Sequence, residues 1–137
     1  MKTLKLTIKK KWFDMILSGE KTEEYREIKP YWTFRFYRYL RSGWYELDED
    51  EVIGDLLTLH TDWKRHKNLK ELLDFFGLER KNFDAVELRN GYSKKSPVII
   101  IELKNIDVRA GKEEWGAKPE QNYFVLELGK ILSTSNC

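Results

Sequence analysis

Between Gly19 and Arg26 the chain reads Gly-Glu-Lys-Thr-Glu-Glu-Tyr-Arg, a G-x-K-x-x-E-x-R pattern that places charge where a strand ordinarily needs apolar residues. Successive side chains of a strand point to opposite faces, and a half-buried strand keeps one face apolar. Glu24 and Arg26 share a face, so this segment does not fit an ordinary core strand. Two arrangements accommodate it: a charged face lining a cleft, or an edge strand with both faces wet, where charge discourages association.

The flanking pattern is regular. Leu4, Leu6 and Ile8 alternate with Lys5 and Thr7, which predicts a first strand with one buried face. Trp12, Phe13, Ile16 and Leu17 follow at helical spacing, and Gly19 supplies a stop. A second strand is expected over Lys21 to Ile28. Pro30 suits the first turn of a helix, where its missing N–H would be unpaired anyway. In that helix Trp32, Phe36, Tyr39 and Leu40 share one face; Tyr31, Arg35 and Arg38 share the other, with Arg41 at its margin. The same residues partly alternate at period two, so a strand also fits there.

Gly43 to Asp55 is polar and acidic and reads as an excursion. Asn68 can cap a helix carrying Leu69, Leu72, Leu73 and Phe76 up to Gly77. Asp84 to Arg89 alternates again, Asn90-Gly91 marks a turn, and Val98 to Leu103 reads as a strand. Tyr123 to Leu128 forms the last one. The expected class is α+β: a small mixed barrel with helices inserted near the amino terminus and in mid-chain.

At 137 residues with 41% hydrophobic composition, the chain suffices for one core, so one domain is expected over residues 1–132, with 133–137 frayed. Net charge is only +2, too little for a strong overall field. Anion binding must then come from local patches: Lys9-Lys10-Lys11, the Arg35/Arg38/Arg41 series, or Lys64-Arg65-His66-Lys67, offset by the acidic run Glu46 to Glu51. Cys137 is the sole cysteine, and His60 and His66 lack carboxylates at metal-ligand spacing, so neither disulfide nor metal nor cofactor is expected. The amino terminus alternates rather than forming an apolar signal segment, and no apolar run is long enough to span a bilayer. A cytoplasmic protein is the expectation.

The strand, short helix and G-x-K-x-x-E-x-R order resembles the ASCH domain, a relative of the PUA RNA-binding fold. Glu87-Leu88-Arg89-Asn90-Gly91-Tyr92, Glu114-Trp115-Gly116-Ala117 and Tyr123-Phe124-Val125-Leu126-Glu127-Leu128-Gly129 add to the likeness, which is to ASCH proteins of phage and bacterial genomes. It covers most of the chain and is weakest over Gly43 to Arg80. The resemblance implies a partly open, PUA-like β-barrel with an RNA-binding cleft where the first helix meets the motif strand. One branch of the family resembles hydrolases that remove an acetyl group from acetylcytidine, with the motif K-x-x-T-x-R and its threonine as nucleophile. Lys21 and Arg26 match that motif, but Glu24 stands where the threonine would be, and a carboxylate cannot act as that hydroxyl.

With this resemblance the ligand-binding candidates are Lys21, Glu24, Arg26, Tyr92, Arg35 and Arg38. Lys21 would meet phosphate as a point charge, and Arg26 would meet phosphate or a base edge through its planar fork. Glu24 would accept from a nucleobase amino group or orient Arg26. The structural counterpart is an internal Lys21–Glu24–Arg26 ion network that holds the cleft in shape. Tyr31 interleaved with Arg35 and Arg38 suits single-stranded nucleic acid, although a solvated helix face carries the same residues. Trp12 and Trp32 fit either base-stacking platforms or the helical core. Asn90-Gly91-Tyr92 makes a turn whose Tyr92 can lean over the cleft, Trp115-Gly116 can plug a barrel end, and Glu87 is a possible second carboxylate. The expected function is RNA or nucleotide binding. The alternatives are an amidohydrolase on an acylated nucleoside, with Glu24 as base and Lys21 as oxyanion stabiliser, and a protein-interaction module using the aromatic helix or the Trp115 region.

Overall fold

The computed structural model describes residues 1–39 and 78–137. Its elements are β1 (Thr3–Thr7), α1 (Lys10–Leu17), β2 (Glu23–Arg26), α2 (Pro30–Phe36), β3 (Tyr37–Tyr39), β4 (Leu78–Arg80), β5 (Ala85–Arg89), β6 (Val98–Ala110), a 3-10 turn (Glu113–Trp115) and β7 (Asn122–Ser135). Five strands form one mixed sheet in the order β1-β5-β6-β7-β2, and β3 pairs with β4 separately. The class is α+β.

The chain divides into two compact units, one of Met1–Glu24, Asn82–Ile106 and Leu126–Cys137, the other of Tyr25–Lys81 and Asp107–Val125. In the first, β1 runs parallel to β5, and β5 runs antiparallel to β6. Register lines up Leu4, Val86 and Ile101 in one row and Leu6, Leu88 and Ile99 in the next. All six are buried, and Phe13 and Ile16 are the buried face of α1. The alternate positions Lys5, Glu87 and Arg89 stay partly or wholly exposed, as the period-two pattern requires.

The second unit has an aromatic core. Phe36 meets Phe124 edge to face with ring centroids 5.3 Å apart, Tyr37 lies 5.8 Å from Phe124, and Tyr25 lies 5.8 Å from Tyr123. Two tyrosine hydroxyls hold the segment after β6: that of Tyr25 accepts from Lys112 N–H at 3.0 Å, and that of Tyr123 accepts from Lys118 N–H at 2.9 Å.

Several boundaries differ from expectation. Lys21 lies outside the second strand, because its N–H donates to the Met15 carbonyl at 3.0 Å and closes the turn at the end of α1. The helix expected to reach past Arg38 stops at Phe36, where Tyr37 takes extended angles of φ −127° and ψ 153°. Tyr37, Arg38 and Tyr39 then pair with Arg80, Glu79 and Leu78. The period-two reading therefore holds for this half of the segment, because strand pairing uses the alternation that a lone helix would waste. The Asn90-Gly91 turn is a longer connection over residues 90–97, closed by Asn90 N–H donating to the Pro97 carbonyl at 3.0 Å. Gly91 has φ +119°, and an added Cβ would stand 2.7 Å from Ser96 Oγ. β7 continues through Ser135, into the tail expected to fray. Leu40, Arg41, the Gly43–Asp55 excursion, His60, the Lys64–Lys67 run and the Asn68–Gly77 helix lie outside the described residues.

Candidate functional site

In the first unit the motif residues Lys21 and Glu24 face one another. Ser18 and Gly19, the latter at φ +84°, turn the chain back after α1 and deliver Lys21 beneath the helix. Its Nζ donates to Glu24 Oε1 at 2.8 Å, and the two side chains are 0% and 5% exposed. The same ammonium sits 4.7 Å from the Trp12 ring centroid, and Lys11 Nζ stands at 4.7 Å from that ring as well. Burying two charges costs several kcal/mol per ion unless they pair well, and pairing plus the ring quadrupole offsets that cost here. β2 is the end strand of its sheet, yet Glu24 and Tyr25 are both buried, so it is not an edge with two wet faces. A hollow of about 380 Å³ lies alongside, lined by Ile16, Lys21, Thr22, Ile101 and Leu128 among others.

In the second unit, a cluster of flat cations and rings forms around α2. Arg26 donates from Nη1 to the Tyr25 carbonyl at 2.8 Å, and its guanidinium carbon stands 5.1 Å from the Trp32 ring centroid. One helical turn brings Arg35 over Tyr31, with Nη1 donating to the tyrosine hydroxyl at 3.0 Å. The Arg35 guanidinium is 5.9 Å from both the Tyr31 and Trp32 rings. Tyr31 meets Trp32 edge to face at 4.8 Å, and Trp32 stacks on buried Phe36 at 5.7 Å. Tyr31 is 61% exposed, and Trp32, Arg26 and Arg35 are half-buried. Such an arrangement offers solvent a ring face for a base and guanidinium N–H groups for phosphate or a base edge.

The other candidates are placed differently. Arg38 belongs to β3, not to the helix, and pairs across the strand with Glu79 at 3.0 Å. The expected helical row of Arg35 and Arg38 therefore does not form. Tyr92 stands 94% exposed in the 90–97 connection. Glu87 is half-buried on the sheet face opposite Val86 and Leu88. Trp115 is buried in the second unit with Lys112 Nζ 4.2 Å from its ring. Sequence reasoning assigned Tyr31 and Arg35 to one surface but left Trp32 between core and platform. In the structure Trp32 is half-buried, stacked on Phe36 and flanked by the guanidiniums of Arg26 and Arg35. A usable clue was its position beside Tyr31 on a helix too short to bury two adjacent large rings.

Burial raises the Tyr37 hydroxyl well above the ordinary tyrosine value; Arg80 partly opposes the shift and Asp107 adds to it. Among the described residues, no cluster of three or more His, Cys, Asp or Glu side chains is arranged to hold a metal, and no helix is long and apolar enough to cross a membrane. No protein-family model matches the chain, and neither does any curated protein or solved structure compared with it.

Proposed function

We propose that this chain is a PUA-like, ASCH-type domain that binds RNA or a nucleotide-containing ligand, its sheet forming a partly open barrel. The observation carrying this reading is the Arg26–Trp32–Arg35–Tyr31 cluster, four side chains of two chemistries interleaved, Tyr31 exposed and the other three half-buried. Rings stack on bases of any sequence, contributing about 1–3 kcal/mol per base, while guanidinium forks take phosphate oxygens or base edges. Support for the family comes from the element order: strand, short helix, then a strand carrying Glu24 and Arg26. Lys21 and Glu24 act as the internal support of the motif rather than as ligand contacts, because both side chains are buried and Lys21 Nζ pairs with Glu24 Oε1. The hydrolase alternative needs substrate and water to reach this pair, which makes it the weaker reading.

A titration of short single-stranded RNA and of 5′-mononucleotides, followed by tryptophan fluorescence, tests the proposal. Tyr31→Ala with Arg35→Gln is expected to weaken RNA binding at least about ten-fold while leaving the circular dichroism spectrum unchanged. Unchanged affinity in a folded double variant would remove α2 as the ligand surface.

A further inference from the structure

The parallel pairing of β1 with β5 has a consequence for charge. Thr7 is in register with Arg89, so the two chains leave the sheet side by side. Ile8 N–H donates to the Arg89 carbonyl at 3.0 Å, and Asn90 Nδ2 donates back to the Ile8 carbonyl at 2.9 Å. These bonds fix the 90–97 connection beside the start of α1. Lys9, Lys10 and Lys11 on one segment and Tyr92, Lys94 and Lys95 on the other are all exposed.

The connection is braced from within. Arg89 Nη1 donates to the Ser93 carbonyl at 3.0 Å, Ser93 N–H donates to Ser96 Oγ at 3.0 Å, and Lys95 N–H donates to Ser93 Oγ at 3.1 Å. Of the lysines, Lys10 is paired with Asp14 at 2.6 Å, and Lys11 lies over Trp12. Lys9, Lys94 and Lys95 have no ion-pair partner among the described residues. Three ammoniums without an ion-pair partner among the described residues thus stand on these two joined segments, the second of which carries a tyrosine that is 94% exposed, in a molecule whose net charge is only +2. Concentrating like charge in this way is unfavourable for the isolated protein and favourable for binding a polyanion.

We infer that this corner of the first unit binds the phosphate backbone of single-stranded RNA, with Lys9, Lys94 and Lys95 on consecutive phosphates and Tyr92 stacked on an unpaired base. Lysines are mobile point charges suited to sequence-independent backbone contact, and an aromatic ring selects unpaired over paired bases. The corner is separate in sequence and composition from the α2 cluster. It rests on the nucleic-acid reading above for the class of partner.

Fluorescence anisotropy of a labelled oligouridylate at several salt concentrations decides it. The variant Lys9→Gln/Lys94→Gln/Lys95→Gln removes three exposed charges that hold no ion-pair partner among the described residues. Lys104→Gln/Lys118→Gln/Lys130→Gln removes three from other exposed positions. The first should flatten the slope of log affinity against log salt by about 2, at roughly 0.7 per contact, and the second should leave it unchanged. Tyr92→Ala should weaken binding on the order of ten-fold with the slope retained. Equal behaviour of the two triple variants overturns the inference. Patch-dependent binding to phosphatidylserine vesicles with none to the oligonucleotide also overturns it. If the α2 variant alone loses affinity, the corner is excluded and the α2 reading stands; if only the corner variants lose it, the α2 reading falls and the corner remains.

Discussion

Lys21 and Glu24 are where a charged motif and a buried location meet. A carboxylate left in the interior without its cation costs about 3–5 kcal/mol, more than most surface contacts contribute. Lys21→Met is therefore expected to lower unfolding stability by about that amount, and Lys21→Met/Glu24→Leu to recover most of it, since replacing both charges by apolar groups is often neutral or better. Urea unfolding of the three proteins measures this. A Lys21→Met protein as stable as wild type that no longer bound nucleotide would return the lysine to the ligand. Tyr37 sets a pH limit of a different kind. Its hydroxyl is held protonated by burial, so below about pH 10 both folded and unfolded phenols are neutral and stability is independent of this group. Above that pH the unfolded phenol ionises first, and stability falls by up to about 1.4 kcal/mol per pH unit. Tyr37→Phe should remove that component of the alkaline slope. Parallel slopes for the two proteins between about pH 10 and 11.5 would show that Tyr37 ionises as easily folded as unfolded.

At the scale of elements, the legible parts of the fold were those whose pattern is local. β1 and α1 follow from alternation and helical spacing within their own residues, and Gly19 ends α1 where its backbone freedom is used. The segment after Pro30 shows where local pattern stops deciding. Its residues satisfy period 3.6 and period 2 together, and the choice at Tyr37 is made by pairing with Leu78–Arg80, which lies far along the chain. That pairing moved Arg38 from a proposed helical row onto a strand and gave it Glu79 as partner. The strands β6 and β7 were foreseen at their apolar centres and missed at their ends, because polar continuations such as Lys130 to Ser135 are strand by pairing rather than by hydrophobic alternation. The charged face of β2 stands out in the sequence, and in the structure its Glu24 is buried and paired with Lys21. Sequence could not show that Glu24 turns to a lysine lying before the strand, since that depends on the tight return of the chain after α1.

For the whole molecule, topology does what composition cannot. Composition gave a weak overall field and several basic runs; the parallel β1–β5 pair joins the segment that carries Lys9 to the connection that carries Lys94 and Lys95, across a separation of 82 positions at the Asn90–Ile8 bond. Closing a loop of that length carries an entropic cost that local contacts do not meet, whereas β5 and β6 are joined by residues 90–97 alone and are expected to pair early. β1 should therefore dock after the rate-limiting step of folding. Leu6 reports on it, being buried in the row that Leu88 and Ile99 complete. Leu6→Ala is expected to cost about 2–5 kcal/mol at equilibrium. Stopped-flow measurements should find most of that loss as faster unfolding, with the refolding rate nearly unchanged. Val86→Ala, in the hairpin, should slow refolding instead. Slower refolding of Leu6→Ala by the full equilibrium amount would place β1 in the nucleus. In that case the basic corner would form with the first structure rather than the last.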